Sequence, residues 1–279
     1  MNIKKVCGLL GLAVLVAAFM ALPQPAKAEM FVEAYIGGTT AANSTTDFNF
    51  GLPAAASTVG VSNPGVIDPS VIAGLKLGTW FVKEGFLGYD YPDWMKYLGF
   101  WIDFSYNRLD FAKKHGNAAI FNPVTGTGFS PTNFKSEGDA FTLAFMFAGC
   151  YGFFPDSEVP FGRLQPYLAV GPAILFSSQE PKITLNNAAF PLAVPLTTVN
   201  YGISPSSKTS VNICLATEAG VRYMCLKNVS LDVSFKYRYA QPHYKFGFID
   251  PLSQTGNYNF DFSPTYHQFS GQLGVAYHF

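Results

Sequence analysis

Three observations predict an all-β chain that spans a membrane as an antiparallel up-and-down β-barrel of about eight strands. Large apolar residues alternate with small or polar ones in repeated segments of about ten residues. Charged residues make up only 13% of the chain while aromatics reach 16%, with Phe (27) and Tyr (15) far above Trp (3). That is too few charges for an ordinary soluble surface, where about 25% is usual. Beyond the N-terminal leader, no segment is apolar for the roughly 20 residues that a spanning helix needs. A closed sheet reconciles these facts, because it satisfies its own backbone groups and asks only alternate residues to be apolar.

The leader comes first. Lys4 and Lys5 precede an apolar run over residues 6–22, and Ala26-Lys27-Ala28 fits the small-x-small cleavage rule. Residues 1–28 are therefore expected to be a signal peptide cut after Ala28, leaving 29–279 as one barrel domain. Cys7 lies in the apolar run with no lipobox before it, so it leaves with the leader. The formal net charge of +0 argues against a nucleic-acid partner, which would require clustered Lys and Arg.

The strands follow in order. Val32, Ala34 and Ile36 alternate with Phe31, Glu33, Tyr35 and Gly37. A second strand is expected over residues 71–82, with Ala73, Leu75, Leu77 and Phe81 outward and Lys76 inward. Over 98–108, Leu98, Phe100, Ile102, Phe104 and Tyr106 share the outward parity, and Trp101, Asp103, Ser105 and Asn107 the inward one. Over 139–151, Phe141, Leu143, Phe145 and Phe147 point out while Ala140, Thr142, Ala144, Met146 and Ala148 point in, which suits a narrow lumen. The strand over 164–176 places Leu168, Val170, Ile174 and Phe176 outward against Gln165, Tyr167, Ala169 and Ala173. It carries Pro166 and Pro172, each lacking a ladder donor, and is expected to be the least regular. Val211 to Tyr223 and Leu231 to Tyr239 alternate about a short turn near 224–228 and predict a hairpin. The last strand sets His267, Phe269, Leu273, Val275, Tyr277 and Phe279 against Gln268, Ser270, Gln272, Ala276 and His278.

Long connections, 39–70, 111–136, 177–209 and 240–262, alternate with shorter turns. With both termini in the periplasm the four long ones are expected to be extracellular loops, the first of them mobile because it is rich in Ala, Ser, Thr and Asn. In the turn over 83–97, residues 92–97 predict one helical turn with Trp94 at the membrane interface.

The parity puts eight charges on the lumen side: Glu33, Asp103, Glu218 and Asp232 with Lys76, Arg222, Lys236 and Arg238. A mid-membrane Lys or Arg facing lipid would cost about 2–4 kcal/mol, so the register is physically forced. Glu218 and Arg222 on one strand are natural partners for Asp232, Lys236 and Arg238 on its hairpin neighbour. Two readings compete: a plug of ion pairs filling the barrel, which is preferred, and a polar pathway gated by exchange of pairs. Under the first, Arg222→Ala costs roughly 3–5 kcal/mol and leaves conductance unchanged.

No catalytic, cofactor or metal pattern emerges. His267 and Ser270 are three apart in a strand and point to opposite faces; His115 and His243 begin loops, and His278 points inward. Cys150, Cys214 and Cys225 show neither zinc spacing nor a disulfide framework, and a Cys150–Cys225 bridge would have to reach across an intervening strand.

Residues 97–107 (YLGFWIDFSYN), 164–171 (LQPYLAVG), 219–224 (AGVRYM) and the ending 274–279 (GVAYHF) resemble the small outer-membrane β-barrels of the opacity-protein and OmpA transmembrane-domain type. The resemblance covers the mature chain and implies residence in a Gram-negative outer membrane among lipid and lipopolysaccharide. It also implies an assembly signal at Tyr277 and Phe279 for the barrel-assembly machinery. Such barrels serve as adhesins, anchors or narrow pores. The chain ends at its last strand, so no cell-wall tether is expected. The function expected is a non-enzymatic barrel with an ion-paired, closed lumen and surface-exposed loops for contact or structural roles, host or cell-surface ligands being the partners such contact implies. The alternative is a narrow channel for small, apolar solutes lined by Tyr35, Trp101, Tyr167 and Met146, and a lipid-modifying enzyme at His267 or Ser270 ranks last.

Overall fold

Strict alternation over ten residues makes one face of a sheet apolar, and in a closed sheet set in lipid that face is the outside. The computed structural model describes residues 29–42, 47–52, 57–62, 67–81, 91–122, 126–189, 198–249 and 257–279. The expected leader, residues 1–28, lies outside them. Eight barrel strands appear: β1 (Glu29–Ala42), β2 (Ile67–Trp80), β3 (Leu98–Arg108), β4 (Gly126–Cys150), β5 (Leu164–Ala189), β6 (Lys208–Leu226), β7 (Val229–Ala240) and β8 (Tyr266–His278). Each pairs antiparallel with the next, and β8 returns to β1 in an unbroken register from Phe31↔His278 to Ala42↔His267. The ring is closed.

Burial is inverted relative to a soluble protein. Ile213 is 78% exposed and Leu168 66%, whereas Lys76 is 1% and Lys236 0% exposed. Small inward residues, Ala140, Ala144, Ala148, Ala169, Ala173 and Ala216, leave room for the long inward ones. Among the described residues no helix is long and apolar enough to cross a membrane.

The long connections carry strand well beyond the spans read from the alternation. Strands β4 and β5 run for 25 and 26 residues, more than twice the roughly ten that a crossing takes. The excess pairs with added strands, Phe111–Asn122 on β4 and Thr198–Ile203 on β5. Tyr244–Ile249 pairs with Asn257–Phe262, and Asp47–Leu52 with Ser57–Ser62 inside the segment expected to be mobile. Sheet thus continues past one end of the barrel, called here the hairpin end. The second strand also starts earlier than expected and stops at Trp80, with Phe81 just beyond it, where its N–H donates to the Leu98 carbonyl at 3.1 Å.

The opposite, turn end holds the start of β1, the end of β8 and the short connections. A 3-10 turn at Asp93–Tyr97 stands where a helical turn is expected, with Trp94 62% exposed. Between β4 and β5, the turn over 151–163 is pinned by polar bonds. Asp156 accepts the N–H groups of Glu158 and Val159 at 2.9 and 2.7 Å and pairs with the Arg163 guanidinium, which also donates to the Met224 and Cys225 carbonyls near the end of β6.

Strand β5 carries an interruption, beside the register shifts near the ends of β1 and β6. Its pairing with β4 lapses between Ala144↔Ala173 and Phe147↔Val170, opposite Pro172, which has no N–H to give. The backbones still touch closely: a Cβ on Gly171 would stand 1.8 Å from the Phe145 carbonyl oxygen. Only glycine fits there.

Gly171→Ala is therefore expected to lower the unfolding free energy by about 1–3 kcal/mol in urea titrations of the vesicle-embedded barrel. Gly271→Ala, where an added Cβ meets nothing within 4 Å, should be silent. In the turn over 151–163, the Val159 N–H and then the Arg163 guanidinium hold the Asp156 carboxyl below the usual aspartate range. A depressed value stabilises the turn above the ordinary aspartate pKa and is lost only as pH falls through the lower folded value. Amide protection at Glu158 and Val159, followed by NMR, should thus persist through about pH 4 and fall only below it.

Candidate functional site

Inward parity on three adjacent strands sets Glu33, Lys76 and Asp103 side by side, in register as Glu33↔Lys76 and Lys76↔Asp103. The β6–β7 hairpin sets Glu218 opposite Lys236 and Arg222 opposite Asp232. These two groups face one another across a lumen only as wide as their side chains.

The strongest ties run across it. Lys76 donates to Glu33 on its neighbouring strand at 2.7 Å and to Glu218 on the far wall at 2.6 Å. Lys236 mirrors it, lying 3.2 Å from Glu218 beside it and bonding Asp103 on the far wall. Each lysine therefore holds one local and one distant carboxylate, and Glu218 is shared. All five groups are buried. Their Coulomb attraction is screened little, and stranding any one of them would be costly.

Two tyrosines complete the layer. The Tyr35 hydroxyl donates to Asp103 at 2.6 Å and lies 3.3 Å from the Lys236 ammonium, while the Tyr167 hydroxyl lies 2.8 Å from both Glu218 and Asp232. Sequence reasoning placed both inside but as apolar lining. Instead Tyr35 bridges the Asp103 carboxylate and the Lys236 ammonium, and Tyr167 bridges two carboxylates, roles their position level with the inward charges could have signalled.

The remaining cations differ from expectation. Arg222 lies 3.6 Å from Glu33 and 3.8 Å from Asp232, beyond hydrogen-bond length, and stacks over Phe31 and Trp80 at 4.7 and 5.1 Å. Its attachment is cation–π as much as ionic. Arg238 does not join the hairpin cluster; it donates to Ser105 at 2.6 Å and stands 4.0 Å from Asp103, one layer nearer the hairpin end.

Aromatic layers lie on either side. Toward the turn end, Phe31, Trp80 and Trp101 meet at 5.9–6.3 Å between ring centroids, and Phe31 stacks on His278, which hydrogen-bonds Ser230 at 2.9 Å. Toward the hairpin end, Phe111 packs on Phe262 and Tyr266, and Tyr244 on Phe262. The Tyr244 hydroxyl donates to Ser177 at 2.6 Å, and burial pushes that hydroxyl up to about 12. Among the described residues the inward side chains thus lie in layers: rings toward the turn end, ion pairs in the middle and rings toward the hairpin end.

The other candidate residues do not converge. His267 bonds Tyr237 on the outer face, whereas Ser270 points into the lumen toward the Lys236 carbonyl. On the hairpin end His243 meets Ser263 through Nδ1 and stands 3.8 Å from Asp261 through Nε2, the reverse of the wiring a serine nucleophile needs. Among the described residues no three His, Cys, Asp or Glu side chains are grouped to hold a metal ion. No disulfide joins Cys150, Cys214 and Cys225; strand β5 separates Cys150 in β4 from Cys225 in β6.

The sequence matches the family model described as outer membrane protein beta-barrel domain over residues 12–279. No curated protein matches it. Among solved structures, Neisserial surface protein A is 13% identical, with 90% of this chain and 97% of that one covered at a TM-score of 0.41. The outer membrane protein OprG from Pseudomonas aeruginosa is 13% identical, with coverage of 91% and 97% and a TM-score of 0.44. The outer membrane protease OmpT from Escherichia coli is 12% identical, with coverage of 93% and 99% and a TM-score of 0.43.

Because Lys76 neutralises two buried carboxylates, Lys76→Met is expected to cost about 3–5 kcal/mol in the same urea titrations. Arg222→Met should cost less, its pairs being longer and its stacking partly replaceable. Adding Glu218→Gln to Lys76→Met should restore part of the loss.

Proposed function

The chain belongs to the outer membrane protein beta-barrel domain family, and from that membership we propose that it is a non-enzymatic outer-membrane barrel, closed to solutes, whose hairpin end contacts ligands at the cell surface. The observation that carries this reading is the pair of cross-lumen bonds, Lys76 to Glu218 and Lys236 to Asp103, stacked between two aromatic layers. A solute would have to part these pairs in a medium where separation is costly. The hairpin end supports the second half, since sheet continued well past the membrane serves no purpose in crossing it and offers a shaped surface.

In this reading the turn end faces the periplasm, the hairpin end faces outward, and the partners are membrane lipid, lipopolysaccharide and a host or cell-surface ligand. Tyr277 and Phe279, whose rings lie 5.0 Å apart at the end of β8, serve as the assembly signal. The channel alternative needs Tyr35, Trp101, Tyr167 and Met146 to line a path, but the two tyrosine hydroxyls are committed to the ionic layer.

Planar-bilayer recording tests the proposal. The purified barrel is expected to give no reproducible openings at neutral pH, and stable unitary openings would replace this reading with the channel.

A further inference from the structure

Strands β7 and β8 stop pairing at the same level. Their last pair is Ala240↔Tyr266, and pairing resumes at Tyr244↔Phe262 with no slip of register. Pro242 and Pro264 stand opposite each other in the middle of that break. Bonded and non-bonded pairs alternate along an antiparallel ladder, and His278 donates its N–H to the Asn228 carbonyl opposite it at 2.8 Å. Counting by twos from there makes Pro242 opposite Pro264 a bonded position, at which each residue should give its N–H to the other. Neither has one. The two prolines thus delete both bonds of one rung, and the strands meet there through side chains, His243 Nδ1 against Ser263 Oγ. A single proline has no such effect: Pro181 stands opposite Ser136 and the β4–β5 ladder runs on past it to Thr132↔Leu185.

Beyond the break, Tyr244–Ile249 and Asn257–Phe262 pair with each other and, among the described strands, with no other. A two-stranded hairpin is marginal by itself in water, so this one is held by what its inner face covers. That face reaches across the mouth of the barrel. Phe262 packs on Phe111 and Phe134, on the β3–β4 side, at 5.8 and 6.4 Å, and the Tyr244 hydroxyl donates to Ser177 of β5 at 2.6 Å. Tyr244, Phe246 and Phe262 are buried. Toward β6 the break is tied by side-chain bonds: Asn212 donates to the Gln241 carbonyl, and the His243 N–H donates to Ser210 at 3.2 Å. A groove of about 720 Å³, lined in part by Ile213, Cys214, Tyr239, Ala240 and Gln241, flanks the break and leaves it room to bend.

We propose that the paired strands Tyr244–Ile249 and Asn257–Phe262 are a hinged lid, closing the mouth at the hairpin end by laying their rings on the opposite wall and swinging open as one unit about Pro242 and Pro264. The closed and open states differ in the ring cluster and the Tyr244–Ser177 bond, while the ladders joining β1 to β8 are common to both. Opening uncovers an apolar mouth at Phe111, Phe134 and Tyr266, so access to those rings is set by the hinge and not by the lysine pairs beneath. The lid is independent of whether the lumen conducts and of which ligand the hairpin end meets.

Amide hydrogen exchange on the full barrel in lipid bilayers tests this, because a lifted hairpin loses its support and then its own ladder. In the unaltered protein the amides of 244–249 and 257–262 should exchange through one shared opening. Their rate should be at least about tenfold above that of residues 178–185, which lie in the unbroken β4–β5 extension at the same end. Tyr244→Phe, which removes the bond to Ser177, should speed exchange in the lid about fivefold and leave β7 and β8 unchanged. Pro242→Ala combined with Pro264→Ala supplies the missing rung and should slow the lid toward the rate of 178–185. Lid amides as slow as those of 178–185 in the unaltered protein would overturn the hinge, and so would a lid rate that the alanine pair leaves where it was. If the alanine pair fails to fold, Tyr244→Phe decides: acceleration confined to the lid supports the hinge, whereas no acceleration, or acceleration shared with β7 and β8, overturns it.

Discussion

Two lysines organise the interior. Lys76 and Lys236 each reach one carboxylate on an adjacent strand and one on the opposite wall, and both pair with Glu218. A barrel in lipid has no hydrophobic core in the ordinary sense, since its apolar surface is spent outward and its interior is too narrow for free water to solvate isolated charges well. Ion pairs spanning the lumen supply the missing cohesion, drawing walls that backbone bonds alone connect only around the circumference. The inward alanines of β4, β5 and β6 follow from this: a long lysine can cross only where the facing residue is small.

The aromatic layers complement the ionic one. Phe31, Trp80 and Trp101 shield the pairs from water at the turn end and give the Arg222 guanidinium a face to stack on. The cluster around Phe111, Phe262 and Tyr244 does the same at the hairpin end, where sheet extended beyond the membrane can bury apolar side chains on its inner face. Low dielectric then strengthens each pair within, and makes each expensive to open. One architecture thus accounts for the buried ionic layer and for the rings on either side of it.

Much of this was legible in the sequence, and the physical reason is the period of two. Ile102 and Asp103 cannot share a face, so the lipid band and the inward charges both follow from alternation, as does the β6–β7 hairpin that sets Glu218 beside Lys236. What alternation does not carry is stagger around the ring, which decides which far wall a side chain meets. Lys76 therefore bonds Glu218 rather than its lateral neighbour Asp103, and Arg238 leaves the cluster for Ser105. The long ends of β4 and β5 were missed because beyond the membrane neither face must be greasy. Thr, Asn, Gly and Ser then sit where Phe and Leu marked the crossing, and strand resembles loop.

The central claim is that the walls are tied together by charge, and solid-state NMR of the barrel in lipid bilayers tests it most directly. Through-space correlations from the Lys76 ammonium nitrogen to the Glu218 side-chain carboxyl, and from Lys236 to Asp103, are the result this account requires. Lysine nitrogens that correlate only with mobile water, and with no carboxyl across the lumen, would contradict it.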